Sequence, residues 1–226
     1  MDGLAAMTAD LMGLGARASL IISVLPSLLV RWFNRRLPDF LRANPEVRVD
    51  VRLEEDPVDF YRNHIDIRIA YGEHLYPDLV TVPFRRDRAT VMCVPGMIES
   101  GRVQSNNVSS LRDEDLVHVA WRTGFSAYPT WNSWFNAAGF SRQPQTELGH
   151  IVDTSSLAVD LARSGQGIAL GQLMLAEQDL AEGHLITPFS TSVVFKYHYC
   201  VVHTRANSRN PYLQAFLAWL ASIQWE

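Results

Sequence analysis

Residues 19–53 read SLIISVLPSLLVRWFNRRLPDFLRANPEVRVDVRL, and this stretch decides the fold class. Ser19–Val24 is an apolar, β-rich run that reads as a buried strand. Leu25-Pro26-Ser27 breaks it. Leu28, Leu29, Trp32, Phe33, Leu37, Phe40 and Leu41 then fall on one face of a helix. Ser27, just after Pro26, is the candidate N-cap. Pro38 lies inside the pattern and predicts a kink or a shortened helix, and Asn44-Pro45 ends it. Val47, Val49, Val51 and Leu53 alternate with Arg48, Asp50 and Arg52, the mark of a half-buried strand with one polar face.

The alternation of strand and helix continues outward. Ile65, Ile67, Ile69 and Tyr71 form a strand closed by Gly72, after a short helix expected over Pro57–Asn63. Further strands are expected near Leu79–Pro83, Thr90–Val94, Leu116–Ala120, Ile168–Leu170 and Lys196–His203. Helices are expected over Trp131–Ala138, after Asp153-Thr154-Ser155, near Leu173–Asp179 and over Pro211–Ile223. Such alternation predicts mostly parallel sheets in an α/β fold. The 226 residues suffice for one large domain or two lobes.

Composition narrows the function classes. A net charge of −4 and a pI near 6.0 argue against a surface that grips nucleic acid by itself. Cys93 and Cys200 lie far apart in apolar runs and read as buried, reduced thiols, which fits the cytoplasm. The first fifteen residues lack the basic start of a signal peptide, and no apolar run is long enough to span a membrane.

Catalytic patterns are weak. Gly124-Phe125-Ser126-Ala127-Tyr128 lacks the second glycine of a nucleophile elbow. The seven histidines are scattered without metal-ligand spacing, so neither a metal nor a cofactor is expected. Glu54-Glu55-Asp56 reads as a solvated turn, and Arg85, Arg86 and Arg88 as surface charge. In open parallel sheets ligands bind beyond the carboxyl ends of strands. Three strand-to-helix junctions qualify: Leu25-Pro26-Ser27, the Trp121–Tyr128 loop, and Asp153-Thr154-Ser155. Hydroxyls and unpaired N–H groups there favour polar or anionic groups.

Five stretches, in order, resemble LysR-type transcriptional regulators. Leu37–Val47 is similar to the family's "LPxFLxxxPEV" segment, and Asp66–Gly72 to its "DxAIRxG" strand. Cys93-Val94-Pro95, Trp131–Gly139 and Gly165–Gly171 with Asp179–Leu185 resemble "CSP", "WxxWLxAAG" and "GxGVALG…DLAxGRL" of the subgroup holding the glycine-cleavage and β-lactamase gene activators.

The resemblance implies a two-lobed fold like the type 2 periplasmic binding proteins, with two crossover strands. Residues 18–92 plus 196–226 would form lobe I, 93–195 lobe II, and 1–17 the remnant of a linker helix. It implies a regulator and not an enzyme. A small polar effector would sit between the lobes and alter their relative orientation. The ligand-binding candidates are Pro26, Ser27, Tyr71, Trp121, Thr123, Asp153, Thr154 and Ser155. Leu25 stands where the family often has a polar group, which weighs against a fully charged effector. The family's domains pair head to tail, which carries Trp32, Phe33, Arg36 and Val49 onto a homodimer or tetramer interface. DNA contact would need a winged helix-turn-helix preceding this chain. The rival reading is a transporter's solute-binding protein, which shares the fold; two more distant rivals are an enzyme on that fold and a dimerisation module with an empty cleft.

Overall fold

The computed structural model describes residues 19–120 and 127–224. Along the chain, β1 (Ser19–Val24) leads into a short α1 (Pro26–Leu28), a π-helical turn (Leu29–Phe33) and α2 (Asn34–Ala43). β2 (Arg48–Leu53), β3 (Ile67–Tyr71), β4 (Val80–Arg85) and β5 (Arg88–Met92) follow. Then come α3 (Pro95–Glu99), β6 (Leu116–Val119), α4 (Trp131–Ala137), β7 (His150–Val152), α5 (Ser155–Arg163), β8 (Ile168–Gln172) and α6 (Leu173–Ala181). The last elements are β9 (Ser192–Val194), β10 (Tyr199–His203) and α7 (Pro211–Ser222).

The chain divides into two units, each built on one five-stranded sheet. Among the described residues the first takes 19–29, Phe33–Phe84 and 199–224; its strand order is β2-β1-β3-β10-β4. The second takes Val30–Trp32 and Arg85–His198, in the order β7-β6-β8-β5-β9. The chain therefore enters the second unit at Arg85, earlier than the expected boundary after Met92, because β5 pairs with β8 and β9. It returns at Tyr199, where β10 pairs with β3.

The sheets are less uniformly parallel than the alternation predicts. β1 runs parallel to β2 and β3, and β6 parallel to β7 and β8. β10 and β5, however, are antiparallel to their neighbours β3 and β8. β5 enters the second sheet directly after β4, and β10 enters the first soon after β9, so neither arrives through the helical crossover that parallel pairing needs.

In the first unit α2 and α7 cover one face of the sheet. Phe40 meets Phe216 edge-on at 5.3 Å and Trp219 at 5.5 Å, and Phe33 sits 6.2 Å from Phe216. α2 runs on through Pro38. The π turn lies just before it, a local widening at the place where the proline disturbs the hydrogen-bond ladder. The other face carries Ala70, Cys200 and Val202 beneath Phe60, Ile65 and Tyr76. No helix forms over Pro57–Asn63; Asp59 instead accepts from the N–H groups of Tyr61 and Arg62 in a turn. Asp66 accepts from the Ile21 N–H and the Asn207 amide, and Gly72, at φ 96°, ends β3 in a conformation that favours glycine.

In the second unit α4 covers one face with Trp131, Trp134 and Phe135 over Val91, Leu116 and Ile168. α5 and α6 cover the other, with Ala158, Val159, Ala162 and Ala176 on Val117 and Ala169. The arginines expected at the surface serve the connections: Arg86 Nε donates to the Phe195 carbonyl and Arg88 Nε to Ser192 Oγ. Between them Asp87 is fully buried and accepts from the Arg88 and Met174 N–H groups, the latter in the first turn of α6.

Burial pushes the Asp87 carboxyl up to about 6, the two backbone donors opposing it. The folded state therefore holds a proton on Asp87 that the unfolded chain releases near pH 4, the usual carboxylate range at about 3.9. This contribution to stability is complete below about pH 4 and is lost as pH rises to about 6, a fall of roughly 3 kcal/mol. Urea denaturation between those limits should show it, and Asp87→Asn should flatten that part of the stability profile. An unchanged profile in the variant would show that Asp87 is ionised throughout.

Candidate functional site

In the first unit the carboxyl ends of β1 and β2 carry a buried polar network. Ser23 on β1 and Arg68 on β3 are both fully buried. Arg68 Nη1 donates to Ser23 Oγ at 2.9 Å, and Ser23 donates in turn to Glu54. Arg68 Nε donates to Asp56 Oδ1 at 2.9 Å, with side-chain exposures of 0% and 1%. Tyr76 OH also donates to Asp56 and accepts from the Val58 N–H at 3.0 Å. Burial, followed by the Asp56 charge, raises the Tyr76 hydroxyl well above its ordinary pKa, so it stays protonated and donating. Glu54 and Asp56 are thus not a solvated turn: the sheet places a cation beneath them.

Of the first-unit candidates, Pro26 opens α1 and Leu25, not Ser27, is its N-cap; no side chain caps it. Ser27 lies one residue inside the helix, half-buried. Tyr71 is buried against Tyr199, ring centroids 5.4 Å apart, and so belongs to the core of the unit.

In the second unit Thr154, not Asp153, is the N-cap of α5, its hydroxyl accepting from the Leu157 N–H at 3.4 Å. Asp153 is exposed. Ser155 is buried and accepts from the Gln172 amide at 2.9 Å, so one of its lone pairs is committed inside the unit. Trp121 and Thr123 lie outside the described residues, as does most of the rejected elbow sequence, and residues 1–17 likewise. The described groups at these strand ends are hydroxyls, backbone N–H donors and the Asp153 carboxylate, which can hold a polar ligand.

A second charged cluster lies around Asp179, which is 2% exposed. It accepts from Arg31 at 2.5 Å and from Arg163 at 2.9 Å, while Arg31 also donates to Asp160. Among the described residues no group of three or more His, Cys, Asp or Glu could hold a metal ion. Cys93 and Cys200 are free and buried, and burial pushes their thiols up to about 11 and about 12.

Trp32 and Phe33 are fully buried within this chain, so their side chains have no surface to give to a partner subunit. Arg36 and Val49 stay half-exposed, Val49 on the edge strand β2.

The residues that sequence reasoning missed are Arg68, Asp56, Tyr76 and Gln172. One signal was legible. In "DxAIRxG" the alanine aligns with Arg68 and the arginine with Ala70, so this chain carries its arginine two residues earlier on the same face of the strand. A charge inside a strand apolar on both faces demands a buried partner.

Two five-stranded α/β sheets, each on its own unit, define the class of fold: that of the periplasmic-binding-protein type. The model of the LysR substrate binding domain matches residues 14–224, and the chain belongs to that family, one of transcriptional regulators rather than enzymes. It is 24% identical over 213 residues to the glycine cleavage system transcriptional activator of Escherichia coli K12, covering 94% of this chain and 67% of that one. It is 28% identical over 200 residues to the activator AmpR of Rhodobacter capsulatus, covering 87% of this chain and 65% of that protein. The chain thus spans about two thirds of the length of these relatives. In structure it matches the effector domain of AmpR from Pseudomonas aeruginosa with a TM-score of 0.71 at 24% identity, covering 90% of this chain and 94% of that one. The AmpR effector binding domain from Citrobacter freundii gives 0.73 at 19% identity, covering 90% and 96%. Among the described residues no helix is long and apolar enough to cross a membrane.

Proposed function

We propose that this chain is the sensing part of a cytoplasmic LysR-type regulator, and that a small polar molecule held at the carboxyl ends of its parallel strands changes how the whole protein engages DNA. The observation that carries this reading is the family match over residues 14–224. The hydroxyls of Ser27 and Thr154 and the N–H groups beside Pro26 supply polar contacts, with Asp153 able to receive an amine. Trp121, Thr123, Tyr71 and Ser155 complete the proposed contact set, Tyr71 and Ser155 through packing more than direct bonding. A ligand shifts a conformational balance only by binding one arrangement better. DNA contact belongs to a winged helix-turn-helix that the intact regulator supplies.

The test is a thermal-shift screen of amino acids, cell-wall peptides and aromatic acids. A ligand confined to the native state raises the melting temperature. Ser27→Ala with Thr154→Val should abolish that rise. Thr154→Val removes the α5 cap and should itself cost about 1 kcal/mol. A ligand-induced rise undiminished in the double variant would remove both residues from the binding set.

The same reading includes self-association. Both sheets end in an open edge strand, β2 and β7, flanked by exposed apolar side chains: Leu53 at 56% and Ile151 at 60%, with Leu148 and Leu157 nearby. Such edges invite pairing with a second copy. Arg36 and Val49 belong to the first of these surfaces. Analytical ultracentrifugation should show a dimer or tetramer, and Ile151→Asp should yield monomers of unchanged melting temperature. Unaltered assembly in Ile151→Asp would place the interface elsewhere.

A further inference from the structure

The second unit contains a cavity of about 340 Å³ on the face of its sheet covered by α4, at the small end of ligand-pocket sizes. Its apolar walls are Trp131 and Leu170, with Pro129 and Pro144, and the β6 segment Val117–Val119 runs along it. His118, Thr130, Asn132, Gln143 and Thr146 supply the polar groups. Neither Thr154 nor Ser155 is among its described lining.

Three features point to a ligand. First, His118 is only 7% exposed, and its Nε2 is buried with no hydrogen-bond partner among the described residues. A buried ring nitrogen without a partner costs free energy that a bound group recovers. Second, the walls are held in place. Trp131 Nε1 donates to the Val117 carbonyl at 2.9 Å, which fixes the indole. Gly149 lies so close under the sheet that an added Cβ would be 3.1 Å from His118 Cδ2 and 2.2 Å from the Leu116 carbonyl oxygen. Any residue but glycine at 149 would press on the His118 ring. Third, the polar groups are aimed without being exhausted. Thr130 Oγ1 accepts from the Ser133 N–H as the cap of α4, which leaves its hydroxyl proton free to donate. Asn132, Gln143 and Thr146 are exposed at the rim.

Apart from His118, the described lining holds no ionisable side chain. Burial lowers the His118 pKa, against the opposing charges of Asp113 and Glu147, so the imidazole is neutral at pH 7. A charged ligand would lose its hydration here without an ion partner. A neutral imidazole nitrogen donates in one tautomer and accepts in the other, and a hydroxyl satisfies both.

We propose that this cavity binds a small uncharged ring compound that places a hydroxyl against His118 Nε2 and its ring against Trp131. This inference does not depend on the effector site at the strand ends, and either can fail alone.

The test uses benzyl alcohol as the probe, with benzoate and benzylammonium as charged counterparts of the same shape. Binding is followed by the NMR signals of the Trp131 indole N–H and the His118 ring. Benzyl alcohol should give saturable shifts of both, and the two ions should bind at least about ten-fold more weakly. His118→Leu should weaken benzyl alcohol about ten-fold, the loss of one buried hydrogen bond. Gln143→Trp, a rim substitution at an exposed position that leaves the core intact, should block entry and abolish the shifts. The proposal is overturned if benzyl alcohol gives no saturable shift, if benzoate binds equally well, or if the Gln143→Trp variant binds benzyl alcohol as before. Unchanged affinity in His118→Leu overturns the assigned hydrogen bond.

Discussion

Arg68→Leu should destabilise the first unit by about 3–5 kcal/mol, the typical cost of removing one member of a buried ion pair. Arg68 and Asp56 are both essentially without solvent contact, so the variant strands a carboxylate that keeps only the Tyr76 hydroxyl as a side-chain donor. Ser23 loses a donor as well, which uncouples β1 from β3 on the polar face. Replacing both charges, as Arg68→Leu with Asp56→Leu, should restore most of the loss, because well-packed apolar groups often substitute for a buried pair at little cost. Urea denaturation of the two single variants and the double variant, read as a cycle, gives the coupling directly. Additive losses would mean that the two side chains do not depend on each other.

Trp134→Ala should be as damaging in the second unit, at about 3–5 kcal/mol. Trp134 is fully buried on α4 and meets Phe135 and Phe189 edge-on at 5.4 and 5.2 Å. Its indole N–H also donates to the Thr191 carbonyl at 3.0 Å. The substitution therefore removes aromatic area and leaves a carbonyl short of a donor. Calorimetry should show a large fall in melting temperature. A shift of only a degree or two would mean that the cluster closes over the gap.

Much of the fold was legible in local spacing. The alternation of Val47–Leu53 and the apolar face of residues 28–41 each arise within one element, and they appear as β2 and as the helical run ending in α2. The family strings around Leu37, Asp66, Trp131 and Gly165 placed the chain among its relatives. The site was less legible. Pro26 and Thr154 do stand at helix starts, but Ser27 does not cap and Ser155 turns inward to Gln172. Trp32 and Phe33 are apolar residues on a helix face, and spacing alone cannot separate a core from an interface.

The longer strands and helices and the membership of the family were determined by the sequence alone, because periodicity and motif spacing are properties of neighbouring residues. The tertiary structure decided which polar groups are buried together and what each one faces. Ser23 and Arg68 are 45 residues apart, and Arg31 and Asp179 are 148 apart. Pairs at such separations are set by sheet register and helix packing. Whether a charge counts as solvated surface or as a buried partner therefore depends on long-range placement that no local pattern records.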